Sequence, residues 1–185
     1  MKKYAPLFIY GFMIISAGLL MIFLRNSLLM SLKLTLGIIL AIGAVFAFVT
    51  ALSRRKKLVQ FAYHEMHAIA MISYSIAILF FCQTFETLNY YTTFLFIFYA
   101  FSEILFCNWI FNLGQNIIYK IVLVRVMIAL FTGIGTVVVT SYANTNQEMI
   151  YIGHGVIFII LGINILLYTP IMKNIDELKS TPISI

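Results

Sequence analysis

Six long apolar stretches alternate with short polar segments along the chain. They run over Leu7–Leu24, Leu34–Ser53, Ala68–Phe85, Asn89–Asn112, Ile121–Tyr142 and Met149–Met172. A helix needs roughly 20 mostly apolar residues to cross about 30 Å of hydrocarbon, and each stretch meets that length. The first three are uncharged. The fourth holds one charge, Glu103, and the fifth one, Arg125, whereas the sixth carries His154 and no formal charge. Strict apolar–polar alternation, the signature of a membrane β-barrel strand, is absent. The pattern therefore predicts an all-α polytopic membrane protein with six transmembrane helices in a single integral domain.

Composition excludes the main alternatives. Of 185 residues, 63% are hydrophobic and 10% charged, with a mean hydropathy of +1.04. An ordinary soluble domain carries about 25% charged residues, and a water-soluble enzyme this apolar could not cover its own surface. A disordered chain needs the opposite balance, low hydrophobicity with high net charge. Two cysteines are too few for a disulfide scaffold or a multi-cysteine zinc framework.

The basic residues orient the spans, because Lys and Arg stay on the cytoplasmic side. With the N-terminus cytoplasmic, the inner segments hold Lys2, Lys3, Arg54, Arg55, Lys56, Lys57, Lys120, Arg125, Lys173 and Lys179. The outer segments hold only Arg25 and Lys33. Ten against two accounts for all twelve, so the net charge of +6 is read as topology rather than a nucleic-acid footprint. Both termini are expected in the cytoplasm and the chain in the cell inner membrane. The apolar run after Lys2-Lys3-Tyr4 continues to Arg25 without a small-x-small cleavage site, so it is expected to remain as the first span.

The spans group into three helical hairpins, over 5–57, 61–114 and 117–173, followed by a short tail, 174–185. Gly11, Ala70 and Ala129 recur at intervals of 59 residues, as do Gly18, Ala77 and Thr136; Gly43, Ser102 and Gly162 fall 59 and 60 apart. Small residues let helix backbones approach in lipid, which gives such a repeat a packing role. The first unit reads Leu7-Phe8-Ile9-Tyr10-Gly11, Ala17-Gly18-Leu19-Leu20 and Leu36-Gly37-Ile38-Ile39-Leu40 to Gly43, ending in Ser53-Arg54-Arg55. In length, span number and this glycine-punctuated texture, the chain resembles the HdeD-like acid-resistance membrane proteins from about Leu7 to Met172. It departs from them in its 17 Phe and 11 Tyr and in the charged fourth span. The resemblance implies a small, non-enzymatic inner-membrane protein linked to acid stress, and it supplies no functional residues.

Glu103 is the most informative side chain, since a charge at the bilayer centre costs about 2.5–3.5 kcal/mol and needs a partner. Helix rise puts Glu103 roughly 15 Å from the inner end of its span, Arg125 about 12 Å and Asn164 roughly 13 Å. The three are therefore expected in one layer, with Glu103 and Arg125 paired and Asn164 nearby. That cluster either locks helices 4, 5 and 6 or relays protons. The competing arrangement has Arg125 snorkelling to the headgroups and Glu103 protonated by desolvation. Tyr99, Glu103 and Cys107 follow i, i+4 spacing and form a mildly polar stripe on one helix face.

His64 and His67 lie near the inner end of helix 3 at i, i+3, a spacing open to a metal, to pH sensing or to an ordinary polar boundary. His154 belongs to the opposite leaflet. So do Cys82 and Cys107 relative to each other, which forbids a disulfide between them. The chain contains no phosphate-binding glycine loop, nucleophile elbow or HExxH motif. No catalytic, cofactor-binding or metal residue is assigned, and no cofactor is expected. The expected partners are the lipid bilayer and a second copy of the chain or another membrane protein, not nucleic acid. A proton, ion or small-solute transport unit centred on Glu103 and Arg125, or a subunit of a larger complex, is the competing function.

Overall fold

A computed structural model describes residues 4–24, 28–54, 63–111, 119–141 and 147–169. Six helices cover them: Ala5–Phe23 (α1), Leu29–Arg54 (α2), Tyr63–Ile76 (α3), Phe85–Phe111 (α4), Tyr119–Ser141 (α5) and Gln147–Leu166 (α6). A π-helical turn, Ala77–Phe81, extends α3 to full membrane-spanning length. No strand occurs among the described residues. All six are long and apolar enough to cross a bilayer, so the chain is a polytopic all-α protein. Lys2, Lys3, Arg25, Arg55, Lys56, Lys57, Lys173, Lys179 and the tail fall outside the described residues.

Three helix starts lie four or five residues before those the hydropathy predicts. α2 begins at Leu29 rather than Leu34 and so takes in Lys33, whose ammonium donates to the Cys82 carbonyl at 2.9 Å, at the end of the π turn. α3 begins at Tyr63 rather than Ala68 because His64 and His67, polar by residue type, are buried inside the bundle. α4 starts at Phe85 rather than Asn89, three residues after Cys82, on a cap in which Thr84 Oγ1 accepts the Thr87 N–H at 3.1 Å.

Successive helices pack antiparallel, and α6 returns to α1 to close a ring. Gly37 meets Leu79 across α2 and α3, and Gly43 meets Met13 across α2 and α1. Tyr74 and Thr92 share a hydrogen bond of 2.8 Å across α3 and α4, and Thr93 and Thr140 one of 2.9 Å across α4 and α5. Gly153 lies against Val139 between α6 and α5. Large apolar side chains such as Phe12, Ile38, Phe94, Phe131 and Ile163 are exposed on different helices. Five hydroxyls within the spans are satisfied on their own helix: Thr50, Ser75, Thr92, Thr136 and Thr140 each donate to a carbonyl four residues back.

The closure between α1 and α6 is a backbone-to-backbone contact. Gly11 faces Gly162 and Gly18 faces Gly155, one pair seven residues from the other on each helix. A Cβ at Gly18 would lie 2.4 Å from the Gly155 carbonyl oxygen, and one at Gly162 would lie 2.8 Å from that of Gly11. Without a hydrophobic drive between helices in lipid, such close approach is what supplies their attraction. Gly135 is different: its nearest neighbour is Ile157 Cδ1 at 3.9 Å, so a methyl fits. Gly18→Ala is expected to lower stability by at least the ~1–3 kcal/mol typical of overpacking. Gly135→Ala is expected to be neutral or to gain up to about 1 kcal/mol from helix propensity. Thermal unfolding of both variants in detergent micelles checks the contrast.

Candidate functional site

Glu103, on α4, and Arg125, on α5, form a buried bidentate pair. Arg125 donates from Nε to Glu103 Oε1 and from Nη2 to Oε2, the second at 2.9 Å. Arg125 is 0% and Glu103 2% exposed, so the pair is sealed from both lipid and water. Arg125 does not snorkel, and the guanidinium that the charge pattern counts among the topology markers is spent inside the bundle. Tyr63, the first residue of α3, completes the arrangement: its hydroxyl accepts from Arg125 Nη2 at 2.8 Å and donates to Glu103 Oε2. The Cys107 thiol, one turn along α4, points at Glu103 Oε1 from 3.7 Å. Each carboxylate oxygen therefore faces two donors, the condition under which a charge is tolerable in a low-dielectric interior.

Aromatic rings enclose the guanidinium. Its carbon lies 5.7 Å from the Tyr63 ring centre and 5.3 Å from those of Phe106 and Tyr168. Tyr63 and Tyr168 stack with an interplanar angle of 2°. Each cation–π contact adds about 0.5–2 kcal/mol when desolvated. Tyr168 follows the end of α6, so α3, α4, α5 and the α6 terminus all converge on one cation. Asn164, one turn before Tyr168, is buried on α6, but no hydrogen bond joins it to the pair; its Oδ1 and Arg125 Nη1 have no hydrogen-bond partner.

His67 brings a second series of hydrogen bonds against the first. Ser102 Oγ donates to the Tyr99 carbonyl at 2.9 Å, so it accepts from His67 Nε2 at 2.7 Å. That leaves His67 Nδ1 as an acceptor, and the Tyr10 hydroxyl of α1 donates to it at 2.5 Å. The pattern selects the neutral Nε2–H imidazole. With both nitrogens engaged, His67 is not arranged as a metal ligand, and among the described residues no group of three His, Cys, Asp or Glu could hold an ion. His67 lies face-near Tyr63, with ring centres 4.2 Å apart, and its hydrogen-bond partner Ser102 precedes Glu103 in the chain.

His64 is buried among rings, 4.5 Å from Tyr168 and 5.1 Å from Tyr63 between centres. The histidines and the ion pair, which the sequence separates into two clusters, are therefore one centre with Tyr63 between them. His154 stands apart, its ring 5.4 Å from Phe96. Cys82 and Cys107 are free thiols. No family model, characterised protein or solved structure matches the chain. Tyr63, Tyr10, Ser102 and Tyr168 escaped the sequence reading because Tyr and Ser are ordinary residues of membrane spans. Only the i, i+4 relation of Tyr63 to His67 offered a signal.

Removing one partner of a buried ion pair leaves an uncompensated charge and costs about 3–5 kcal/mol. Arg125→Gln is expected to be the more damaging single change, and Glu103→Gln/Arg125→Gln to recover most of the loss. Tyr63→Phe, which removes one donor and one acceptor, is expected to cost about 1–3 kcal/mol. A double-mutant cycle from equilibrium unfolding in mixed micelles reads the coupling. A double variant no more stable than the worse single one contradicts the pairing.

Proposed function

We propose that the chain is a small, non-enzymatic protein of the cell inner membrane, with both termini cytoplasmic and a role in acid stress like that of the HdeD-like proteins it resembles. It acts as an oligomer or with another membrane protein. The observation that carries the non-enzymatic part is the enclosure of Glu103 and Arg125, the buried charged side chains among the described residues. They neutralise each other inside an aromatic shell, and two apolar clefts on the bundle surface are lined by none of the centre's residues. Such a centre holds helices together; it offers no surface on which a substrate would react. His67, whose packed arrangement suits a neutral imidazole, is the group through which acid would act, because a second N–H would face the Tyr10 hydroxyl and displace its proton.

A second reading, a proton-conducting unit, draws on Arg125 Nη1 and Asn164 Oδ1, buried groups left without partners beside a line of exchangeable protons through Tyr10, His67 and Ser102. Buried polar atoms of this kind are where internal water resides. Proton flux across reconstituted liposomes under a pH gradient separates the readings. The structural reading expects equally tight vesicles for the wild type, Glu103→Gln and Tyr10→Phe. Flux in the wild type that both substitutions abolish makes the centre a conduction path instead. Acid survival of a strain that requires the protein tests the other half: His64→Gln/His67→Gln is expected to impair it, and unchanged survival refutes the acid-sensing role.

A further inference from the structure

An unbroken series of aromatic rings runs from the edge of the bundle to its centre. Trp109, two residues before the end of α4, is the chain's one tryptophan and is half-buried, so part of its indole meets lipid. Its ring centre lies 6.5 Å from that of Phe106, which in turn lies 4.6 Å from that of Tyr63. Tyr63 lies 4.2 Å from the His67 imidazole, and the Tyr10 ring follows at 6.2 Å. Beyond Trp109 every member of the series is buried.

The inner end of the series can move a proton. The Tyr10 hydroxyl donates to His67 Nδ1 at 2.5 Å, within reach of direct transfer. A phenol that loses an electron becomes a strong acid, and in hydrocarbon only a hydrogen-bonded base can take its proton. The neutral imidazole of His67 is such a base. After the transfer Nε2–H keeps Ser102 Oγ as its acceptor at 2.7 Å, and the new Nδ1–H points at the phenoxyl oxygen. That second N–H, which has no place beside a hydroxyl proton, is accommodated once the oxygen has lost it. The imidazolium then lies beside the rings of Tyr63 and Tyr99, whose centres are 4.2 and 4.1 Å away and attract a cation. Neighbouring tyrosines are placed differently. Tyr63 donates to Glu103, whose protonation would leave Arg125 without its counter-charge, and Tyr74 shares its bond with the Thr92 hydroxyl, which is no base.

We propose that Tyr10 and His67 form a redox-active pair that reduces lipid peroxyl radicals arriving at Trp109. The peroxyl radical takes one electron from the indole and one proton from interfacial water, and leaves as a hydroperoxide. An electron from Tyr10 crosses the intervening rings and refills the indole, while the Tyr10 hydroxyl proton passes to His67 Nδ1. One peroxyl radical and one phenol thus become one hydroperoxide and one phenoxyl radical, with the phenol's proton held on the imidazole. Tyr10 is 0% exposed, so its radical is out of reach of acyl hydrogens and the chain oxidation of lipid stops there. The proposal rests neither on acid sensing nor on proton flux.

The product is read by freeze-quench electron paramagnetic resonance of the full chain in nanodiscs of polyunsaturated phospholipid. A lipid-soluble azo initiator under oxygen supplies the peroxyl radicals. The wild type is expected to give a neutral tyrosyl radical, at most one per chain. Tyr10→Phe is expected to abolish it, and Trp109→Phe to slow its formation. His67→Gln, which keeps an acceptor for the hydroxyl but supplies no base, is expected to slow formation about a hundredfold, the low end of what a positioned base contributes. Isotopic nitrogen in the histidines of the unaltered chain is expected to couple the radical to one imidazole nitrogen, a signature that a merely structural bond would not produce. No tyrosyl radical in the wild type, an undiminished one in a folded Tyr10→Phe, or unchanged rates in Trp109→Phe or His67→Gln overturn the proposal. So does a radical without nitrogen coupling, and where a variant does not fold that coupling decides alone.

Discussion

Hydrocarbon offers no hydrogen bonds, so a full charge carried into the bundle must find its partner there. The Glu103–Arg125 pair meets that constraint at its most severe. Two full charges are acceptable in this interior only because Tyr63, Cys107 and three aromatic rings complete their surroundings. The position of α3 relative to α4 and α5 follows from it, since Tyr63 must stand where it touches both ions. Tyr63 is also the residue through which the His67 series meets the pair, so α1, joined to His67 by the Tyr10 hydroxyl, is tied to the same point.

The bundle is held by two unlike kinds of contact. Toward the ion pair, packing is polar, aromatic and directional, and it selects one relative rotation of each helix. Along α1 and α6 it is a matter of distance alone: four glycines let two backbones come close enough that a single methyl at Gly18 would strike a carbonyl. Dispersion supplies the attraction at the glycine seam, and hydrogen-bond geometry supplies the specificity at the polar centre. Exposed Leu, Ile, Val and Phe on the outer faces add nothing to either, because lipid solvates them as well as protein would.

Hydropathy alone was enough to find the six helices and their all-α class, because twenty apolar residues in a row have few other fates. It was also enough to pair Glu103 with Arg125, because two opposite charges at similar depth on neighbouring spans have strong reason to meet. What escaped it depended on rotation about the helix axes, which hydropathy does not encode. The start of α3 at Tyr63 was hidden because His64 and Glu65 lower the local hydropathy, although His64 is buried. The meeting of His67 with Tyr63 beside the ion pair was hidden for the same reason: depth arithmetic measures along an axis and ignores which faces meet. Asn164 shows the converse, a residue of the right depth and burial with no hydrogen bond to the pair.

The ring closes between its first and sixth helices, whose glycine partners Gly18 and Gly155 are separated by most of the chain. During synthesis α1 enters the membrane long before α6 exists, and its glycine face must wait in lipid through the insertion of four more spans. Dispersion contacts that short-range packing would reward early are thus deferred until α6 has been made. A chain cut short before Gly155 has no partner for the glycines of α1, and their backbone stays against lipid.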